Sequence, residues 1–191
     1  MTEDDARERI LSAAEELYYR KGYAAVGMDE LRSAAGVSLR RLYSLFPAKT
    51  DIVAAVLTRK HAEWEQGLTA AVAQSGDDPR ARLLAVYGYL EDWFCSDGFR
   101  GCAFINAFGE LGGTSPEVAG IVRAHKASFQ QYMAELVAAT GAPAALAAQL
   151  SILAEGAQST AAISADPQVA AQARDAAEVL IAAAMSQPRR E

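Results

Sequence analysis

The residues predict an all-α protein of about nine helices, and three observations carry that reading. Alanine-rich runs such as AELVAAT and AAQARDAAEVLIAAAM raise the hydrophobic fraction to 51%, and alanine favours helix more than it favours an apolar interior. Apolar residues recur at three- and four-residue steps, and only six prolines interrupt 191 residues. Strand signals are essentially absent.

Thr2 followed by Glu3, Asp4 and Asp5 starts the first helix with negative charge at its positive dipole end. Ile10, Leu11, Ala14, Leu17 and Tyr18 form its apolar face, and Arg20 and Lys21 precede its stop at Gly22. Met28, Leu31, Ala34 and Ala35 predict a short second helix, Gly36 supplies the positive φ that ends it, and Ser38 caps a third. In that third helix Leu42, Leu45 and Phe46 share one face, while Leu39, Arg40, Arg41, Tyr43 and Ser44 share the other. Two helices joined by a glycine turn, the second opening with arginines and an aromatic hydroxyl, have the form of a DNA-reading helix-turn-helix. On pattern alone, a helical hairpin with two solvated arginines is the alternative.

A long fourth helix runs from Lys49 to about Gln74, with Ile52, Val53, Val56, Leu57, Trp64, Leu68 and Val72 as its apolar positions. Asp78 as cap and Pro79 at the first helical position open the fifth, Arg80 to about Cys95, whose face is Leu83, Val86, Tyr87, Leu90, Trp93 and Phe94. The segment GCAFINAFGELGG is a short sixth helix on which Cys102, Asn106 and Glu110 form a polar stripe. Such groups either line a wet pocket or anchor neighbouring helices. The seventh helix starts over residues 114–117 and ends near Gly141. Its apolar face of Val118, Ile121, Val122, Phe129, Tyr132, Met133 and Leu136 also holds His125, either a satisfied core residue or a ligand contact. Pro143 begins an eighth helix, and Asp166 with Pro167 a ninth that ends before Gln187, Pro188 and a basic tail. Both are rich in small residues, which permit close helix approach within one chain or between two copies.

The formal net charge of −6 is unevenly spread. Residues 1–50 hold eight Lys/Arg against eight Asp/Glu, so the whole deficit lies beyond the helix-turn-helix. A DNA reader built this way must contact phosphates through a few placed cations, and the acidic remainder limits non-specific binding. The charged amino end predicts no leader, no apolar run has the length of a membrane span, and two cysteines suggest no disulfide framework. The expected compartment is the cytoplasm. His61 and His125 fall on different helices without a nucleophile motif, phosphate loop or metal-ligand cluster, so neither an enzyme nor a cofactor is predicted.

The run RERILSAAEELYYRKGYAAVGMDELRSAAGVSLRRLYSLFPAKTDIV resembles the amino-terminal domain of the tetracycline-repressor (TetR) family of bacterial transcription regulators. Ile10, Leu11, Ala13, Ala14, Leu17, Gly22, Tyr23, Leu31, Ala35, Gly36, Val37, Ser38, Leu42, Tyr43, Phe46 and Lys49 all fall at the family's spacings. Three positions depart from it: Gly27 where Ser or Thr usually caps the second helix, Arg32 where Ala is common, and Ala48 in place of a small polar residue before Lys49. The resemblance implies a DNA-binding domain over residues 1–48 and a helical ligand-binding and dimerisation domain over 49–191. Arg40 and Arg41 lie where side chains reach base edges, and Leu39 where one meets a thymine methyl. Tyr43 and Lys49 resemble the family's phosphate contacts, and Ser38 and Ser44 complete the set.

The family further implies a ligand-responsive regulator, expected to be a repressor that binds a palindromic operator as a homodimer through its last two helices. A small, largely apolar effector would release it. The candidate effector contacts are Trp64, Tyr87, Phe94, Cys102, Asn106, Glu110, His125, Phe129 and Tyr132. The alternative is a thiol- or electrophile-sensing repressor, because Cys102 follows Arg100 and Gly101 at the start of a helix, a setting in which cysteines become reactive.

Overall fold

The computed structural model describes residues 2–186, and among them the chain forms nine α-helices and no strand. These are α1 (Glu3–Lys21), α2 (Met28–Ala35), α3 (Leu39–Leu45), α4 (Lys49–Gln74), α5 (Pro79–Phe94), α6 (Ala103–Leu111), α7 (Pro116–Thr140), α8 (Ala145–Ser164) and α9 (Gln168–Met185). Gln187, Pro188 and the basic tail lie outside the described residues. The chain divides into two compact units, Met1–Ala62 with Cys102–His125, and Glu63–Gly101 with Lys126–Glu191, with boundaries inside α4 and α7.

In the first unit α1 opens on a capping box: Asp5 N–H donates to Thr2 Oγ1 at 3.1 Å and Thr2 N–H to Asp5 Oδ2 at 3.0 Å. The bond from the Thr2 backbone is the main reason the Asp5 carboxyl is held below its ordinary value. Ile10, Ala14, Leu17 and Tyr18 of α1 are buried, as are Leu31, Leu42, Ile52, Val53 and Leu57. Leu11 is only half-buried and Ala34 is exposed, so the apolar stripes of α1 and α2 are narrower than their spacing suggests. Arg59 of α4 binds Glu8 at 2.9 Å and Glu15 at 2.6 Å, and Lys60 pairs with Glu15, tying α4 to α1.

The core of the second unit joins Leu83, Val86 and Leu90 of α5 to Met133 of α7, Leu150 of α8 and Ile181 of α9. Buried alanines at 154, 157, 161, 173 and 177 line the facing sides of α8 and α9, where small side chains let helix axes approach. Tyr87 is 1% exposed and its hydroxyl donates to the Leu150 carbonyl at 2.8 Å, pinning α5 to α8. Helix starts at Pro143 and Asp166 were expected, but α8 and α9 begin two residues later. Their opening bonds, Leu146 N–H to Pro143 O in one and Val169 N–H to Asp166 O then Ala170 N–H to Pro167 O in the other, span three residues and make a tighter turn before the α-helix proper. The fifth helix takes in Pro79 and stops at Phe94.

Burial pushes the phenols of Tyr18, Tyr23 and Tyr87 well above their ordinary value. The folded state therefore holds these protons more tightly than the unfolded chain, whose phenols ionise near pH ~10. This stabilisation is fully present below that pH and is lost as pH rises above it. An alkaline titration is expected to release these three phenolates only together with the helical circular dichroism. Ionisation of all seven tyrosines before any loss of helix would contradict the burial described here.

Candidate nucleic-acid interface

The reading head is assembled from a turn, a cap and two buried leucines. Gly36 takes φ +63° and ψ 38°, and Val37 N–H closes α2 by donating to Arg32 O at 3.0 Å. The left-handed backbone at Gly36 favours glycine, and a Cβ there would also push aside the Arg9 guanidinium, whose Nη2 would lie 2.5 Å away. Two residues on, Ser38 Oγ accepts from Arg41 N–H at 3.1 Å and starts α3. Leu42 and Leu45 are buried, which turns Leu39 (41% exposed) and Tyr43 (46% exposed) to the surface beside exposed Arg40 and Ser44.

Not every predicted contact projects freely. Arg41 is half-buried, and Ser44 Oγ donates to the Arg41 carbonyl at 2.8 Å. Lys49, at the first position of α4, donates from Nζ to Ala24 O at 3.1 Å. Burial lowers its ammonium below the ordinary value, and the nearby Glu110 charge opposes that shift. The departures have structural answers: Gly27 caps α2 without a side-chain bond, Arg32 pairs with Asp29 at 2.7 Å, and Ala48 N–H donates to Asp51 Oδ2 at 2.8 Å. Arg7, which the sequence pattern did not single out, places its guanidinium 4.6 Å from the Phe46 ring centroid just beyond α3.

The candidate effector contacts fall in both units. In the first, Cys102 is buried at the N-cap of α6, Asn106 is half-buried and Glu110 is exposed, so the expected stripe twists from core to surface. Glu110 Oε2 accepts from Ala24 N–H at 2.7 Å, an anchoring bond across 86 residues that spacing could not reveal. At the other end of α6 the Tyr23 hydroxyl donates to Ala103 O at 3.2 Å. His125 is buried, stacks on Phe104 with centroids 3.5 Å apart, and shares a 3.0 Å Nδ1–Nδ1 hydrogen bond with His61, a pairing equally absent from the sequence pattern.

In the second unit Trp64 meets Phe129 edge to face at 5.4 Å, and Phe94 packs on Phe99 at 4.8 Å. The Tyr87 hydroxyl is already committed to Leu150, and half-buried Tyr132 hydrogen-bonds the Thr69 side chain. No helix among the described residues is long and apolar enough to cross a membrane, and those residues hold no group of three or more potential metal ligands.

The family model described as bacterial regulatory proteins, tetR family, matches residues 10–56, from within α1 through the first turns of α4. The transcriptional repressor NemR of Escherichia coli is 32% identical over 111 residues, covering 58% of this chain and 56% of that protein. The transcriptional activator FasR of Mycolicibacterium smegmatis is 34% identical over 123 residues, 63% of this chain and 53% of that protein. The chain thus spans about half the length of these curated relatives. The crystal structure of SCO4454, a TetR-family regulator from Streptomyces coelicolor, superposes with a TM-score of 0.89 at 29% identity, covering 96% of this chain and 97% of that one. A helix-turn-helix closed by Gly36, capped by Ser38 and followed by α4 through α9 in the same architecture places this chain in the TetR family of bacterial transcriptional regulators.

Proposed function

We propose that the protein is a ligand-responsive repressor that binds a palindromic operator as a homodimer and is released by a small, largely apolar effector. The observation that carries the DNA-reading part is the outward face of α3, where Leu39, Arg40 and Tyr43 are exposed on a helix whose other side is fixed by Leu42 and Leu45. Supporting the dimer are Ile152, Ile163 and Val179, which lie 73%, 87% and 69% exposed on α8 and α9. Such apolar side chains on adjoining helices suit a two-fold interface, and a dimer presents two reading heads to half-sites about 34–36 Å apart. In this reading residues 1–48 contact DNA, and the helices from residue 49 onward take the effector and the second copy, within the cytoplasm. Aromatic side chains such as Trp64 and Phe129 supply apolar effector surface.

NemR is named a repressor and FasR an activator, so the direction of control needs its own measurement. Selection from a random duplex library is expected to return a palindrome, bound by a species that sediments as a dimer. A reporter under that palindrome should be silenced by the protein and relieved by the molecule recovered from the purified chain. Sedimentation as a monomer on DNA, or binding only when that molecule is added, would reject the proposal. Cys102 supports thiol sensing as a second reading because it stands at the N-cap of α6, yet at 5% exposure it is shielded from bulky electrophiles. An oxidant response abolished by Cys102→Ser would favour that alternative.

A further inference from the structure

Two side chains from distant helices hold the backbone N–H and carbonyl of one residue beside the reading head. Ala24 lies in the connection between α1 and α2. Its N–H donates to Glu110 Oε2 of α6 at 2.7 Å, and its carbonyl accepts from Lys49 Nζ of α4 at 3.1 Å. The Glu110 carboxylate packs close to Gly22: both oxygens lie 3.0 Å from where a Cβ would stand, and the φ of +91° is one that residues with side chains rarely adopt. Tyr23, between these two residues, bonds the first residue of α6 through its hydroxyl. The connection is therefore fastened to both ends of α6.

This arrangement is costly for a DNA reader. A helix amino terminus with a lysine at its first position attracts phosphate through its free N–H groups, its dipole and the ammonium. At α4 the Ala48 N–H is taken by Asp51, a local cap within the same helix. Glu110 differs because it comes from α6 and brings a carboxylate to the same residue whose carbonyl Lys49 holds.

We propose that Glu110 is a positioning residue that withholds part of the Lys49 charge from the DNA backbone, acting at Ala24, whose N–H and carbonyl the two side chains hold. The proposal rests on the DNA-binding reading above, with Lys49 as a phosphate contact. It makes backbone affinity depend on where α6 sits: while α6 keeps its two bonds to the connection, Lys49 is partly neutralised, and when Glu110 leaves, the ammonium is available to phosphate.

The probe is a fluorescein-labelled random-sequence duplex, which reports backbone contacts without a known operator. Binding to the full chain is followed by anisotropy from about 50 to 200 mM salt. Glu110→Gln keeps an oxygen for the Ala24 amide but removes the charge, and Glu110 is exposed, so the variant retains the fold. Its affinity is expected to rise about threefold to tenfold at low salt, and the slope of log affinity against log salt to steepen by up to about 0.9, the value of one added phosphate contact. Lys49→Ala should cost little in the wild-type background and erase the whole gain in the Glu110→Gln background. An unchanged slope in Glu110→Gln, with Lys49→Ala alone flattening it by about 0.9, would overturn the proposal and leave the DNA-binding reading intact. A gain that survives Lys49→Ala would overturn it too, since the charge would then act elsewhere. Absence of any salt-dependent duplex binding by the wild-type chain would remove the DNA-binding reading and the proposal together.

Discussion

Replacing Arg40 and Arg41 together with alanine is expected to lower affinity for the selected operator at least about thirtyfold while leaving the fold intact. A bidentate arginine contact to guanine discriminates by about 1–3 kcal/mol, so two lost contacts sum to about 2–6 kcal/mol. The fold should survive because Arg40 is exposed and Arg41 only half-buried. The contact that starts α3 uses the Arg41 backbone N–H, which alanine keeps. Arginine-to-lysine variants separate readout from charge: lysine retains the phosphate attraction but loses the planar fork. Arg40→Lys with Arg41→Lys should therefore bind a random duplex nearly as well as the wild type while losing preference for the operator. In the proposed readout the half-burial of Arg41 puts Arg40 first, so the single variants should rank in that order. A double-alanine variant that still prefers the operator would show that other side chains read the bases.

Much of this head was legible because its signals are local. Thr2 and Gly22 bracket α1, Gly36 and Ser38 mark the turn, and Asp78 with Pro79 opens α5, each through a bond or dihedral set within a few residues. The eighth and ninth helices begin later than Pro143 and Asp166 suggest because a proline or aspartate can open a tight turn as readily as an α-helix. Long-range pairings had no comparable signal. The bond from Ala24 to Glu110 and the His61–His125 pair join residues 86 and 64 positions apart, and no periodicity encodes such distances. The stripe of Cys102, Asn106 and Glu110 shows the boundary between the two cases. Its four-residue steps were visible, but a nine-residue helix whose ends meet different surroundings buries Cys102 and exposes Glu110. On α8 and α9 the apolar residues exceed one face, so sequence could not tell that Ile181 is buried while Val179 is 69% exposed.

Leu42→Ala is expected to cost about 2–5 kcal/mol of stability, the usual range for emptying a fully buried leucine site. Leu42 is 0% exposed and belongs to a helix of only seven residues. A helix that short is not stable in water, because its nucleation cost is spread over too few hydrogen bonds. Its order must come from packing against α1 and α2, through Leu42 and Leu45. Stabilities of small domains are about 5–15 kcal/mol, so removing one of these two anchors consumes a large part of what holds the first unit folded. Leu39→Ala is the matched control: three residues earlier on the same helix and 41% exposed, it should shift stability by no more than about 0.5 kcal/mol. The pair also separates two routes to lost DNA binding. Leu42→Ala should lose binding and amide-exchange protection across α3 together, whereas the arginine variants should lose binding with protection unchanged. Equal denaturation midpoints for Leu42→Ala and Leu39→Ala would mean that α3 is not held by its inward leucine, and the outward placement of Arg40 and Tyr43 would lose its physical basis.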